Sequence, residues 1–155
     1  MQNSIEIFSI ALGLTEPWFV KEVVFDKERF QLDIFLGFKK GHPFLMEDGH
    51  YYSAHDTIER RWEHLNFFKH KCYLHANVPG VKQLDGKIKT QEVPWARKGS
   101  GFTLLFEAFS MLLIENEMPV NKVAKILQVY PARLWNVFDY WISIAHQEDD
   151  IEDLT

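Results

Sequence analysis

The sequence predicts an α+β chain: an N-terminal helix and a small antiparallel β domain over residues 1–98, a three-helix domain over 99–147, and an acidic tail over 148–155. Three observations carry this division. Short runs before Lys98 alternate apolar and polar residues, the repeat lengthens to 3.6 residues after it, and Pro94 with Gly99-Ser100-Gly101 marks a connector at the change. With 155 residues, 46% of them apolar and 15% aromatic, the chain is long enough to bury a core.

Ile5, Phe8, Ile10, Ala11 and Leu14 have helical spacing, and Gly13 to Pro17 ends that helix. Trp18 to Phe25 and Phe30 to Gly37 read as strands joined by a hairpin turn at Asp26 to Arg29. In the second strand Phe30, Leu32, Ile34 and Leu36 fall on one side. Alternation recurs in His50 to Ala54, Thr57 to His64, Lys69 to Val78 and Lys87 to Val93, which predicts a twisted antiparallel sheet. Beyond the connector, Phe102, Leu105, Phe106, Phe109, Leu112 and Leu113 form an apolar stripe on a long helix, with Ser100 and Thr103 as candidate caps. Pro119 and Pro131 each suit the start of a further helix.

Met118 to Val137 has the spacing of a helix-turn-helix. Ala124 is small where the two helices cross, and Val123, Leu127, Val129, Leu134 and Val137 occupy the positions buried between them. The turn carries Gln128 where Gly would adopt a positive φ without steric cost. An ordinary helical hairpin has the same cadence, and Trp135, Phe138, Tyr140 and Trp141 would suit a packing or dimerisation helix, so both readings stand beside nucleic-acid contact. On the second helix Tyr130, Ala132, Arg133, Asn136 and Asp139 project outward. Arg133 can fork onto guanine and Asn136 onto adenine, while Lys122 and Lys125 of the first helix suit phosphate.

The net charge of −5 argues against a nucleic-acid protein, but its distribution does not: residues 58–98 carry +5 and the remainder −10, much of it in Glu148, Asp149, Asp150, Glu152 and Asp153. A single cysteine, Cys72, excludes an intrachain disulfide and a multi-thiolate zinc site. The N-terminus lacks a basic start and an apolar run, and no stretch is long enough for a membrane span, so a cytoplasmic location is expected. His50, His55, His64, His70 and His75 cluster with Asp48, Asp56 and Cys72, but without zinc-type spacing, and strand alternation would scatter them over two faces. Lys71 beside Cys72 could lower its pKa, although a structural thiol is the simpler reading. No Gly-rich phosphate loop, nucleophile elbow or isolated carboxylate pair is present, so no catalytic residues, metal or cofactor are assigned.

Several tracts occur in an order that resembles the N-terminal region of bacterial insertion-sequence transposases of the group named ISL-three. They are Ala11 to Lys21, His55-Asp56-Thr57, Arg61 to Leu65, Cys72 to Ala76, Glu92 to Arg97, Gly99 to Ala108, Glu117 to Val120 and Arg133-Leu134-Trp135. The resemblance implies a zinc-ribbon-like β domain followed by a helix-turn-helix, both binding the terminal inverted repeats of the element, ahead of an RNase H-like catalytic domain. The family's zinc knuckles would fall on Leu45 to Gly49 and Gln83 to Gly86, so its ligand positions carry Leu45, Asp48, Gln83 and Gly86. A ribbon without metal is therefore expected, held by its apolar strand faces and by aromatics such as Trp62, Phe67, Phe68 and Tyr73, and no catalysis from this chain itself. The expected partner is double-stranded DNA at transposon ends, with Arg97, Lys98, Lys122 and Lys125 on phosphates and Tyr130, Arg133 and Asn136 at the bases. The alternative is an interaction module that associates with itself or with a catalytic transposase chain.

Overall fold

The computed structural model describes residues 2–153. It resolves into two compact units, residues 1–104 and 105–155. The first unit extends six residues past Lys98 because the chain bonds back to the sheet there: Glu63 donates its N–H to the Gly101 carbonyl (2.8 Å) and Thr103 donates to the Glu63 carbonyl (3.0 Å).

Helix α1 (Gln2–Ala11) is followed by β1 (Trp18–Asp26), β2 (Gln31–Phe38), β3 (Phe44–Leu45), β4 (Tyr51–Tyr52), β5 (Asp56–Phe67), β6 (His70–Lys82) and β7 (Ile88–Thr90). The main sheet runs β1-β2-β6-β5, with β7 also on β6, and β3 pairs β4 separately. Hairpin pairs β1/β2, β5/β6 and β6/β7 are antiparallel as expected. The central pair β2/β6 is parallel, Gln31 to Leu36 against Lys71 to Ala76. Local alternation specifies hairpins but carries no information on how two hairpins join, so this pairing escapes a sequence reading.

Leu32, Ile34 and Leu36 of β2 and Cys72, Leu74, Ala76 and Val78 of β6 build one face of the core. Trp95 closes it, its ring edge-on to Trp18 (4.8 Å) and to Trp62 (5.3 Å). Phe30 departs from the expected stripe: it sits in the turn before β2 at φ 53° and is half exposed. β5 also departs from alternation, with Trp62, Glu63 and His64 buried in succession. Glu63 is covered because the Gly101–Thr103 segment bonds along that edge.

The helices that follow are α2 (Leu104–Glu115), α3 (Val120–Leu127) and α4 (Pro131–Asp153), all in the second unit except for the first residue of α2. The expected stripe on α2 is only partly correct. Phe106 is buried, but the partners of its face are Glu107 and Ser110, while Leu105 (55% exposed), Phe109 and Leu112 lie in solvent. This helix is apolar on nearly every side, so spacing alone cannot choose the buried face. Tertiary bonding does: the Trp141 indole N–H donates to the Glu107 carboxylate at 3.0 Å, which ties α2 to α4. The acidic run expected as a tail continues α4 as far as Asp153, and Leu154 and Thr155 lie outside the described residues.

Three helix ends share one backbone device. After α1, Leu14 donates to Ser9 and Gly13 to Ile10. After α2, Met118 donates to Leu113 and Glu117 to Ile114. After α3, Val129 donates to Ala124 and Gln128 to Lys125. Each is a Schellman turn, which places one residue at positive φ: Gly13 (64°), Glu117 (65°) and Gln128 (59°). At the last two a side chain sits in a conformation that costs about 1 kcal/mol for a residue with Cβ. Gln128→Gly should therefore raise the unfolding free energy by about 1 kcal/mol in a denaturant titration with unchanged slope. A loss of stability instead would show that the Gln128 side chain contributes more than the strain costs.

Candidate nucleic-acid interface

Six apolar positions build the α3/α4 corner. Val120, Val123, Ala124 and Leu127 of α3 are buried, as are Leu134 and Val137 of α4. Val129, in the turn, is half-buried. Ala124 is 1% exposed, which fits a small residue at a close helix crossing. α3 has a pronounced two-sided character, with Asn121, Lys122, Lys125 and Ile126 turned to solvent. Pro119 accepts the first bonds of α3 through its carbonyl, from Lys122 and Val123, and Tyr130 does the same for Arg133 at the start of α4.

With Leu134 and Val137 inward, Ala132, Asn136, Asp139 and Ser143 fall at steps of four and three residues on the outward face of α4, and all four are exposed. Tyr130, just before the helix, is exposed as well. Arg133 is half-buried on the flank of this face. Trp135 on the opposite flank is 47% exposed. From Val120 to Tyr140 the cations Lys122, Lys125 and Arg133 outnumber the one carboxylate, Asp139, a local +2 in a chain of −5.

Five of the seven sequence-chosen residues thus share the second unit. Arg97 and Lys98 lie in the first, where with Arg60 and Lys89 they line a cleft of ~530 Å3. Lys89 is paired with Glu47 (3.2 Å), and the Arg60 guanidinium lies over the Trp62 ring (5.9 Å).

Among the described residues, Cys72, His64 and His75 do not come together in one site. Cys72 is fully buried, and burial together with the nearby Asp33 charge pushes its thiol up to about 12, the reverse of activation by Lys71. His64 lies on the core face against Thr103 (2.6 Å), whereas His75 lies on the opposite face against Asp33 (2.6 Å). Among the described residues no group of three or more His, Cys, Asp or Glu could hold a metal ion.

The turns at Leu45 to Gly49 and Gln83 to Gly86, where the resemblance puts zinc knuckles, are joined through Tyr52. Gly49 and Gly86 each occupy a positive φ, at 82° and 83°, closing turns in which Gly49 donates to Met46 and Gly86 to Gln83. Tyr52 spans the two, its hydroxyl donating to Asp48 (2.5 Å) and accepting from the Leu84 amide (3.4 Å). The Tyr52 hydroxyl and the His50 amide hold the Asp48 carboxyl below its ordinary value. Leu45, Gln83 and Gly86 offer no side chain suited to zinc, so the donor set at these positions does not fit the metal.

No helix among the described residues is long and apolar enough to cross a membrane. No curated protein and no solved structure matches the chain. Residues 91–142, which run from the end of the first unit through α2 and α3 into α4, match the family model described as the helix-turn-helix domain of transposase family ISL3. The α3–turn–α4 corner, with its buried seam and its outward Asn136 face, lies inside that match, and segment 91–142 is similar to the helix-turn-helix domains of that family.

Proposed function

We propose that this chain binds duplex DNA at the terminal inverted repeats of an insertion sequence, with α4 as the reading helix. The observation that carries the proposal is the accessible outward face of α4, bearing Asn136 at its centre and Arg133 at its flank, in a helix-turn-helix of a transposase family. Asn136 suits the N6/N7 edge of adenine and Arg133 the O6/N7 edge of guanine. Asp139 on the same face disfavours phosphate and suits a base edge. Lys122 and Lys125 supply phosphate contacts from α3, Tyr130 adds a polar contact at the start of α4, and Arg97 with Lys98 offers a further cationic edge in the first unit. Strand cleavage is assigned to a catalytic transposase domain, on this polypeptide or another. The β unit is read as a ribbon in which Tyr52 stands where a zinc ion would join the knuckles.

A second reading, association with another copy or with a catalytic transposase chain, is favoured by Leu105, Phe109 and Leu112 standing in solvent along one stripe of α2. Fluorescence anisotropy with an inverted-repeat duplex and a scrambled one separates the two. DNA binding predicts affinity that falls steeply with salt. Lys122→Ala or Lys125→Ala should each reduce the log–log salt slope by about 1 on both duplexes. Arg133→Ala or Asn136→Ala should cost about tenfold on the inverted repeat and little on the scrambled duplex. Equal affinity for both duplexes removes the specific claim, and concentration-dependent self-association without DNA binding establishes the second reading.

A further inference from the structure

One end of the first unit carries a feature that neither the core nor the helix-turn-helix uses. The β5/β6 hairpin turns through Phe68 and Lys69, and Phe68 takes a positive φ of 56° with its side chain 99% exposed. The neighbouring β1/β2 turn ends on Phe30, also at positive φ (53°) and half exposed. Turns of both lengths ordinarily give such positions to Gly or Asn. Two bulky rings in the left-handed region, both turned outward, serve the fold poorly, since Gly would relieve the backbone and remove an apolar surface from water.

The two turns are tied together. Lys71 donates to the Phe30 carbonyl (2.9 Å), and the His70 ring packs on Phe25 (4.6 Å between centroids) and on Phe30 (5.6 Å). The result is a supported aromatic tip of Phe25, Phe30 and His70, with Phe68 projecting beside it. Around it Lys27, Arg29, Lys69 and Lys71 stand against Asp26, Glu28 and Glu63, the last paired with Lys71 at 3.5 Å, a net of +1. The Asp26 carboxylate accepts from the Glu28 and Arg29 amides at 3.1 and 3.0 Å and pairs with the Arg29 guanidinium at 3.8 Å.

We propose that this tip is a stacking platform for unpaired DNA bases, with Phe68 as the ring on which a base lies, Phe30 and His70 as further rings on the adjoining turn, and Lys27 and Lys69 on the flanking phosphates. An aromatic ring held out beside cations is the pairing that binds single strands without regard to sequence. Charged residues next to each ring suit a base between phosphates better than an acyl layer, which would have to take Lys27, Glu28, Arg29 and Lys69 down with the rings. The proposal deepens the DNA reading by naming unpaired bases as a second ligand form, and it shares with that reading the class of partner but none of the α4 residues.

The test is anisotropy of the full chain with single-stranded oligothymidine. Phe68→Ala should weaken binding about tenfold and Phe68→Tyr should leave it near the original value. Phe68→Gly should raise the thermal midpoint while weakening binding as much as the alanine variant, which separates use of the ring from its effect on folding. Oligothymidine binding that is absent, or equal for Phe68→Ala and the original chain, overturns the proposal. So does preferential, Phe68-dependent binding to phosphatidylcholine/phosphatidylserine vesicles, which would assign the tip to a lipid surface. Asn136→Ala separates the two sites: it should leave oligothymidine binding intact while costing inverted-repeat affinity, and an inverted-repeat preference unchanged in that variant, with Phe68-dependent single-strand binding retained, would refute α4 as the reader while supporting the tip.

Discussion

Leu134→Ala is expected to destabilise the helix-turn-helix by about 3 kcal/mol, within the 2–5 kcal/mol typical of truncating a fully buried leucine. Leu134 has no exposed surface and belongs to the seam with Val123, Ala124, Leu127 and Val137, so the lost methyl groups leave a void bounded by a helix crossing that is already close. Relaxation into that void would require α3 and α4 to approach further, and Ala124 has no more side chain to give up. The second unit is small, and a loss of this size is a large fraction of the stability such a unit can have. Ile126→Ala, on the exposed side of α3, should change stability by less than about 0.5 kcal/mol and serves as the control. Chemical denaturation followed by tryptophan emission measures both, and equal effects at the two positions would refute the assigned seam.

The first unit should lose about 3 kcal/mol on acidification through one residue. His64 is buried on the core face with its Nδ1 against Thr103 Oγ1, and burial lowers its pKa from 6.5 to about 4. Between these values the unfolded chain binds a proton that the folded one does not, so stability falls as pH falls. The contribution is complete above about pH 6.5, declines through the interval, and is gone once the pH is below the folded value near 4. His64→Asn can keep a hydrogen bond to Thr103 and cannot titrate in this range. Whatever its stability at neutral pH, its unfolding free energy should be flatter between pH 6.5 and 4 than that of the original chain. Parallel slopes would show that His64 charges without penalty.

The helix-turn-helix was legible because its seam is one-sided: every apolar residue of α3 except Ile126 is buried, so spacing and burial coincide. On α2 the same logic failed, since Leu105, Phe109 and Leu112 compete with Phe106 for the interior and the choice rests on Glu107 meeting Trp141, a partner 34 residues away. The strands were legible one at a time and their assembly was not. β2 and β6 lie side by side through contacts between residues about 40 positions apart, where no local pattern reaches. Gln128 looked like a misfit in the turn, and the structure resolves it: the chain adopts the left-handed residue that the motif requires and bears the strain. Phe30 and Phe68 were unreadable for a related reason, because a phenylalanine beside a strand reads as the end of its apolar face, and the positive φ that turns it outward is visible only in the backbone.

The Tyr52 bridge between the two small turns has a consequence for handling the protein. A junction made of a phenol, a carboxylate and an amide contains nothing for a chelator to extract and no thiolate for peroxide to attack. The β unit should therefore keep its shape in EDTA and under oxidants that would dismantle a cysteine-ligated ribbon, and starvation for transition metals would leave it ready to act.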